Sequence, residues 1–372
     1  DLIIVGAGPA GSTAAYKLNK YGYNILVIDK EKFPRKKLCA GLLTEKTIEV
    51  VDDVFNKNLS DLKRDNIINY SADKYKIFNK DEEIYKRRME DEFHFVYRRD
   101  YDNYLFEQLK NKGVEIREGL KVEDIDIEEN KVYCSTGETI SADYIIGADG
   151  ANSIVRKKIL NKRDDKYKKE FKENMAMTIE GYIPREKAGF DLDHSQINYG
   201  VIKWGYGWVF PKKDEIVVGI VGLKDKNENF LDIYKNYLDL LNLNIEDIDY
   251  SGWPLPYGNH MKKPSYNNTL LVGDAAGLVE AVTGEGIYYA QKSASLAVEA
   301  INNIRNDDKI NSQYNLGAYY HKLLSEDILK RLDQLEKMRS ALVSKPEYLQ
   351  GFLIKFAMKV FGKYITDLIQ GK

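Results

Sequence analysis

The sequence contains few cysteines and prolines, and its charge is nearly balanced. Its two cysteines, Cys39 and Cys134, lie far apart and form no CxxC motif. We therefore expect neither a disulfide framework nor a cysteine metal site, and a reducing cytoplasm is the expected compartment. The four histidines are scattered without metal-ligand spacing, so no metal site is predicted.

Charge and hydropathy argue against two further classes of protein. Lys and Arg total 56 against 58 Asp and Glu, and the net charge of -2 gives no field that would attract nucleic acid. No apolar run reaches the roughly 18 residues that a membrane-spanning helix needs. The chain opens on a strand at Asp1 without a charged region and an apolar core, so no signal peptide is predicted.

The order of sequence patterns predicts two interleaved domains. Apolar runs of strand length alternate with helical periods in some segments, whereas short Tyr-, Ile- and Phe-rich strands fill others. We expect an α/β nucleotide-binding domain of the Rossmann type, a β-rich domain inserted into it, and a helical tail. The predicted boundaries are 1–65, 96–170 and 256–310 for the first, 66–95 and 171–255 for the second, and 311–372 for the tail.

The first motif is VGAGPAGS, with glycines in GxGxxG spacing between a predicted strand and helix. One glycine permits a tight turn, the next lets the backbone approach a pyrophosphate, and the third lets the helix pack on the strand. The helix N-terminus supplies free N–H groups for the phosphates. Asp29 ends the second strand, where a carboxylate would hold the ribose hydroxyls of a dinucleotide. The predicted cofactor residues here are Gly6, Gly8, Pro9, Ala10, Gly11, Ser12, Asp29 and Lys30.

Two later motifs make the prediction more specific. DYIIGADG places Asp149 and Gly150 after an apolar strand, and LLVGDAAG places Gly273 and Asp274 after another. The ordered set of GxGxxG, DG and GD resembles flavoproteins of the p-hydroxybenzoate hydroxylase type. That resemblance implies non-covalent FAD, an antiparallel β-rich substrate domain, and a ribityl contact from Asp274. It also assigns cofactor contacts to Val122, Gly284, Gly286 and Ile287, the last three at a helix N-terminus that favours an anionic reduced flavin.

Arg98 and Asp102 in YRRDYDNYLFEQL are similar to the R-x-x-F-D pattern of these flavoproteins, with Tyr101 in place of Phe. The resemblance implies that Arg98 contacts FAD. The alternative is an arginine solvated at the start of a helix.

A fourth motif narrows the family. DKEKFPRKKLCAGLLT resembles the KxxCGG segment of the geranylgeranyl reductase family, and Tyr206 to Lys212 match its YxWxFPK motif. The resemblance implies that Cys39, Ala40 and Gly41 run beside the isoalloxazine. Ala40 replaces a glycine of that pattern, and Ala281 stands where proline is usual. For Cys39, a buried thiol that only packs and a direct catalytic role remain open alternatives.

The stretch WGYGWVFP alternates at the period of a strand, with its large rings on one face and Gly205, Gly207 and Val209 on the other. Such a stripe is either ordinary core or the wall of an apolar cavity. The resemblance favours a wall that holds hydrocarbon beside the flavin. The predicted substrate residues are Trp204, Tyr206, Trp208, Phe210 and Pro211.

We therefore expect an enzyme that reduces carbon–carbon double bonds of a prenyl lipid by hydride transfer from reduced FAD. The predicted catalytic residues are Cys39, Tyr206, Trp208 and Glu285. The proton comes either from water or from a nearby donor, for which Tyr206 and Glu285 are the candidates; the alternative for Glu285 is an electrostatic role at the helix N-terminus. A flavin monooxygenase or halogenase on the same fold is the alternative, because GYGWVFP is close to the halogenase pattern GWxWxIP. A second alternative is a lipid or flavin carrier that catalyses no reaction.

The reductant and the partners are less defined by the sequence. The reductant is either NAD(P)H or ferredoxin. The sequence has no second GxGxxG unit that would bind NAD(P)H, but hydroxylase-type relatives lack one too, so this absence does not exclude NAD(P)H. The basic run from Arg156 to Lys172 is either a solvated surface loop or a docking site for ferredoxin or lipid head groups. The apolar stripe Leu349, Phe352, Phe356, Val360, Tyr364 and Leu368 is either packed on the body, a lid over the cavity, or a peripheral membrane contact.

Overall fold

The computed structural model describes residues 1–163, 165–345 and 349–357. In this part of the chain the strands form sheets of six, eight and three strands. The strands are β1 (Leu2–Val5), β2 (Ile25–Asp29), β3 (Leu42–Leu43), β4 (Ile68–Asn79), β5 (Glu82–Val96), β6 (Glu115–Glu118), β7 (Val122–Asp126), β8 (Lys131–Cys134), β9 (Thr139–Ser141), β10 (Tyr144–Gly147), β11 (Met175–Pro184), β12 (Ser195–Tyr199), β13 (Gly205–Pro211), β14 (Glu215–Leu223), β15 (Asp249–Pro256), β16 (Ser265–Tyr266) and β17 (Thr269–Leu271).

Helices lie between the strands and make up most of the described C-terminal part. They are α1 (Pro9–Lys20), α2 (Glu45–Phe55), α3 (Leu59–Arg64), α4 (Arg98–Lys110), α5 (Ile154–Asn161), α6 (Asp165–Glu173), α7 (Arg185–Ala188), α8 (Phe230–Leu240), α9 (Ile287–Asn306), α10 (Asp308–Gln313), α11 (Leu316–Leu324) and α12 (Lys330–Val343). Short 3₁₀ turns occur at Lys224–Lys226, Ile245–Asp247 and Gly273–Ala276, and a π-helical turn at Ser325–Leu329 joins α11 to α12.

The six-stranded sheet has the order β16-β17-β10-β1-β2-β6 and is parallel except for its edge strand β16. Its central strand β1, Leu2–Val5, is buried along its whole length, as expected for a parallel strand covered on both faces. Helices α1 and α9 pack against each other beside this sheet. The architecture confirms the predicted Rossmann-type α/β domain.

The eight-stranded sheet has the order β15-β11-β14-β13-β12-β4-β5-β3, with only the β12–β4 pair parallel. Side chains on one face, including Val209 and Ile220, form a core with Tyr237 of α8. The opposite face carries Trp208 and Phe210 and faces the main cavity. This sheet is the β-rich unit that the sequence predicts. Its edge strand β3, however, lies within the segment 1–65, which the prediction assigns wholly to the nucleotide domain.

Of the two alternatives for the basic run between Arg156 and Lys172, the surface loop is wrong for the helical parts of the run, and the docking site stays a prediction. The structure places the run in α5 and α6, with Asp164 outside the described residues. Arg156 is buried, and its guanidinium donates to the backbone carbonyls of Asp274 and Ala275 at 3.0 and 3.1 Å. Arg156 therefore has a structural role inside the protein and is not part of a solvated surface.

Residues 349–357 form a helix against the eight-stranded sheet. Ile354 packs into the cavity-side cluster of that sheet, whereas Phe352 and Phe356 are 63% and 55% exposed. Leu349, the first residue of the predicted stripe, is half-buried. Val360, Tyr364 and Leu368 lie outside the described residues. No helix within the described ranges has the length and apolar character needed to cross a bilayer.

Candidate active site

A cavity of about 700 Å³ extends from the glycine turn before α1 to the aromatic face of β13. Both large sheets contribute to its lining, together with the loop 30–41 and the turn 282–287. It therefore has one end of nucleotide-binding character and one end of apolar character.

The glycine turn is built from close backbone contacts. Gly6 has φ +102°, and a Cβ added there would lie 2.4 Å from the carbonyl oxygen of Ala148. A Cβ on Gly11 would lie 1.8 Å from the carbonyl oxygen of Gly6. Gly8 is the N-cap of α1 and no side chain caps that helix, so the N–H groups of its first turn are available to an anion in the cavity.

Asp29 joins the end of β2 to this turn. Its Oδ2 accepts a hydrogen bond from the Ala7 N–H at 2.7 Å, and its Oδ1 accepts one from the Glu31 N–H at 2.9 Å. The carboxylate is nearly buried and lines the cavity, where it lies at the same end as Gly8. The ribose contact of Asp29 stays a prediction.

Arg98 lies at the cavity wall, paired to a carboxylate and not solvated. Its Nε and Nη2 donate to the two carboxylate oxygens of Asp102 at 2.8 and 2.9 Å, and Arg35 approaches the same carboxylate at 3.1 Å. Burial alone would lower the pKa of Arg98, but the Asp102 carboxylate raises it above its ordinary value. The guanidinium thus stays charged where a cofactor would pass.

The two later motifs place their carboxylates differently. Asp149 accepts hydrogen bonds from Ser153 Oγ at 2.5 Å and the Ile154 N–H at 2.6 Å, so it serves the start of α5. Burial raises the pKa of Asp149. Asp274 accepts from Arg156 through its backbone carbonyl, and its carboxylate lines the cavity with Oδ1 3.4 Å from where a Cβ on Gly286 would be. The ribityl contact of Asp274 stays a prediction.

The turn before α9 is fixed by a buried ion pair. The Glu285 carboxylate forms an ion pair with the Lys46 ammonium at 2.5 Å and accepts a hydrogen bond from Thr44 Oγ1 at 2.8 Å, and the Lys46 and Glu285 side chains are only 8% and 11% exposed. Tyr206 donates its hydroxyl proton to the carbonyl of Thr283, and burial raises its pKa well above the ordinary value. Both residues predicted as proton donors are therefore engaged in holding this turn.

The aromatic stretch forms a wall along one side of the cavity. Tyr206, Trp208 and Phe210 line it and belong to one apolar cluster. The indole Nε1 of Trp208 is buried and has no hydrogen-bond partner among the described residues. The opposite face of β13, which carries few side chains, packs against α8: a Cβ on Gly207 would lie 2.6 Å from the ring of Tyr237.

Trp204 departs from the predicted alternation. It precedes β13, has φ +53°, and its ring lies 5.6 Å from the ammonium of Lys226. Neither Trp204 nor Pro211 is among the residues that line the cavity. The period-two pattern holds only once the strand has begun.

The segment that carries Cys39 is attached to the β-rich unit through its backbone. Lys212 is fully buried, and its ammonium donates to the carbonyls of Ala40 and Val96 at 2.6 and 2.7 Å. Cys39 Sγ accepts from the N–H of Gly41 at 3.4 Å. All three residues from 39 to 41 line the cavity.

Most of the predicted site residues meet at this cavity. Those that line it are Gly6, Gly8, Pro9, Ala10, Asp29, Lys30, Cys39, Ala40, Gly41, Arg98, Val122, Asp149, Gly150, Tyr206, Trp208, Phe210, Asp274, Gly284, Glu285, Gly286 and Ile287. Gly11, Ser12 and Gly273 support it from behind: Ser12 Oγ donates to the Ala7 carbonyl at 3.0 Å, and the Gly273 N–H donates to Ser293 Oγ at 2.9 Å.

Glu180 is a cavity residue that the sequence prediction missed. It lies on β11, is 2% exposed, and has the Tyr182 hydroxyl 3.3 Å from its Oε1. A glutamate at the centre of the strand pattern MAMTIEGYIP was the available signal, because a charged residue on a buried strand needs a partner or a function.

The described residues fit FAD. Two helix N-termini without side-chain caps, at Gly8 and Gly286, face the cavity together with the carboxylates of Asp29 and Asp274. Free N–H groups suit a pyrophosphate or an anionic flavin edge, and carboxylates suit ribose and ribityl hydroxyls.

Comparison with known proteins agrees with this geometry. Residues 1–183 match the family described as an FAD binding domain. Geranylgeranyl diphosphate reductase of Arabidopsis thaliana is 30% identical over 347 residues, which cover 86% of this chain and 69% of that protein.

Two solved structures share the fold. A geranylgeranyl bacteriochlorophyll reductase-like protein of Thermoplasma acidophilum is 22% identical with a TM-score of 0.76, covering 94% of this chain and 89% of that one. A flavin-dependent brominase is 18% identical with a TM-score of 0.73, covering 100% of this chain and 93% of that one. From the sequence match and the site geometry together, we conclude that the chain belongs to the geranylgeranyl reductase family of FAD-dependent oxidoreductases.

Proposed function

We propose that the protein reduces carbon–carbon double bonds in the prenyl chain of an isoprenoid or lipid, with hydride supplied from reduced FAD. The observation that carries this proposal is the continuity of the cavity. Its FAD-type end, with Gly8 and Asp274, opens without interruption onto the aromatic wall of Tyr206, Trp208 and Phe210.

The aromatic wall suits a hydrocarbon substrate. A prenyl chain has no hydrogen-bonding groups, so it must be held by apolar area, at roughly 25 cal/mol per Å² buried. Tyr206 exposes a ring whose hydroxyl is already bonded to Thr283, and Phe210 adds a fully apolar ring. The wall therefore supplies apolar area with few unsatisfied polar atoms.

The residues of the polar end would hold FAD. The start of α1 would bind the pyrophosphate, Asp29 the adenosine ribose, Asp274 the ribityl chain, and the turn at Gly284 and Gly286 the flavin ring. FAD in that position supplies hydride transfer to carbon. The contribution of the chain is to orient the alkene and to exclude water, with the Lys46–Glu285 pair holding the turn in place.

Two partners belong to this proposal. NAD(P)H or ferredoxin would reduce the flavin. A peripheral membrane contact would give access to lipid substrates, and the exposed rings of Phe352 and Phe356 beside the cavity-side sheet support it. Vesicle co-sedimentation of the wild type and of a Phe352→Ser/Phe356→Ser variant tests the contact, which is refuted if the two sediment equally.

The reaction is tested anaerobically. The FAD-loaded protein is photoreduced, mixed with geranylgeranyl compounds, and examined by mass spectrometry for added hydrogen and by absorbance for flavin reoxidation. We expect loss of double bonds in step with reoxidation, and none with a fully saturated prenyl analogue. Oxygen or halogen incorporated into the product of an aerobic reaction would instead favour the monooxygenase or halogenase alternative. Flavin that no alkene reoxidises would favour a carrier.

A further inference from the structure

We propose that Glu180 donates the proton that completes the reduction of the alkene, a role that rests on the proposed function. Glu180 lies in the middle of β11, whose residues alternate between the two faces of the sheet. Thr178 and Glu180 line the cavity, whereas Ile179 and Ile183 belong to the core on the other face. The carboxyl is thus directed into the space that the substrate would occupy.

The carboxyl is fixed against the segment that is expected to run beside the flavin. The hydroxyl of Tyr182 lies 3.3 Å from Glu180 Oε1 and 3.2 Å from the carbonyl oxygen of Cys39. Glu180 is therefore held at the junction between the FAD-type end and the apolar end of the cavity.

Burial favours the protonated acid, whereas Lys212, Lys37 and the hydrogen bond from Tyr182 favour the carboxylate. Burial raises the pKa of Glu180 to about 7, with Lys212 as the main opposing influence. The ammonium of Lys212 donates to the carbonyls of Ala40 and Val96, so its hydrogen bonds are directed to the backbone. The titratable groups that face or neighbour Glu180 from the elements packed around it are Lys37, Cys39, Tyr182, Lys212 and Tyr234.

A row across the sheet aligns Glu180 with the aromatic wall. Glu180 pairs with Gly219 on β14, and Gly219 pairs with Trp208 on β13. A Cβ on Gly219 would lie 2.2 Å from the Trp208 ring, so the absence of a side chain lets the indole lean across β14. Trp208 and the carboxyl thereby border the same part of the cavity.

The balance of the step is simple. Reduction adds one hydride and one proton across the double bond. The hydride brings the electron pair of the first new C–H bond, and the π electrons of the alkene form the second with the proton. The O–H bond of Glu180 breaks as this second bond forms, and solvent then returns a proton to the carboxylate.

The other candidates are less suited to this step. Tyr206 directs its proton to the Thr283 carbonyl, and Glu285 is an ion-paired carboxylate beside Lys46. Glu180 is a buried carboxyl in the cavity lining, and burial raises its pKa.

The test compares Glu180→Gln with wild type in anaerobic stopped-flow, following the reoxidation of the photoreduced, FAD-loaded protein by a geranylgeranyl compound. Gln retains the size of the side chain and an oxygen that can accept from the Tyr182 hydroxyl, but it cannot donate the acidic proton. We expect FAD content and photoreduction to be unchanged and reoxidation to fall by about 10²–10⁴-fold, as for loss of a general acid. Glu246→Gln, at an exposed position, is the matched control and should behave as wild type.

Two further measurements separate proton donation from mere support. The wild-type rate should fall about tenfold per pH unit above about pH 7, while the residual rate of the Gln variant should not follow that profile. Infrared difference spectra should show a protonated carboxyl at about pH 6 that is lost by about pH 8.5 and is absent from the variant. This second signal does not depend on turnover.

The outcomes distinguish the two proposals. If the wild type turns over and Glu180→Gln stays within about threefold of it, the donor role is refuted and the proposed function stands. If no prenyl alkene reoxidises the wild type, the proposed function fails and the donor role fails with it. Should the Gln variant lose FAD, a flat wild-type pH profile or a missing carboxyl band would refute the donor role.

Discussion

The two ends of the cavity are constructed in opposite ways. At the FAD-type end, backbone atoms define the surface, because Gly6, Gly8 and Gly11 bring the strand, the turn and α1 into close contact. At the apolar end, side chains define the surface, with Tyr206 and Trp208 projecting from a strand whose backbone is occupied by sheet hydrogen bonds. The backbone of the FAD-type end leaves almost no room for added atoms. The shape of the apolar end depends on the size and shape of its side chains.

One turn connects the two ends. Glu285 binds Lys46 of α2 on the FAD-type side, and two residues earlier the carbonyl of Thr283 accepts the hydroxyl proton of Tyr206 from the apolar side. The difference between the ends should therefore appear in variants as loss of FAD at one end, loss of substrate at the other, and loss of folding stability at the turn.

The largest expected effect is at the backbone-built end. Gly11→Ala places a Cβ 1.8 Å from the Gly6 carbonyl oxygen, so α1 must move away from the turn. We expect the purified protein to lose FAD, with affinity lowered at least about 100-fold, measured by flavin fluorescence titration. Gly113→Ala is the matched control: Gly113 has φ +71° but no atom within 4 Å of the added carbon, so it should cost only about 1–2 kcal/mol and retain FAD. Wild-type FAD affinity in Gly11→Ala would contradict this account.

The next effect concerns the connecting turn. Lys46→Met leaves the carboxylate of Glu285 buried without its cation, and breaking such a pair costs about 3–5 kcal/mol. Urea unfolding should show this loss. The double variant Lys46→Met/Glu285→Gln should recover most of it, because no unpaired charge remains. A single variant within about 1 kcal/mol of wild type would show that the pair does not hold the turn.

The smallest effect is expected at the side-chain-built end. Trp208→Ala removes an indole from the cavity wall, and we expect retained FAD with KM for a prenyl substrate raised about 10–100-fold. Trp204→Ala provides the comparison, because Trp204 is in the same stretch but outside the cavity lining. Loss of FAD in Trp208→Ala, or equal effects of the two variants, would return Trp208 to an ordinary core role.

The same contrast explains what the sequence revealed. The backbone-built end follows from local spacing, because GxGxxG between a strand and a helix specifies the turn and its approach to Ala148. The pairing of β11 with β14 and of β14 with β13 joins distant segments, and no local pattern gives that order. Glu180 was missed for this reason, although its alternation with Thr178 was visible.

Two further differences have local physical causes. Trp204 adopts a left-handed backbone conformation just before β13, which ends the alternation that the sequence pattern extends to it. Glu285 is predicted from the sequence as a proton-donor candidate. Its ion pair with Lys46 depends on how α2 packs near α9, and a linear pattern does not contain that contact.

The way Lys212 holds the loop 39–41 has a consequence for altering substrate range. Its ammonium donates to the backbone carbonyl of Ala40, so the loop is held without the Ala40 side chain. The methyl group of Ala40 packs beside the apolar cluster that lines the cavity. Gly41 has no such freedom, because a Cβ there would lie 2.0 Å from the Val96 carbonyl oxygen. A larger side chain at position 40 would therefore change the shape of the cavity while Lys212 still holds the loop through the backbone carbonyl, and under the proposed function it would change which prenyl chains fit.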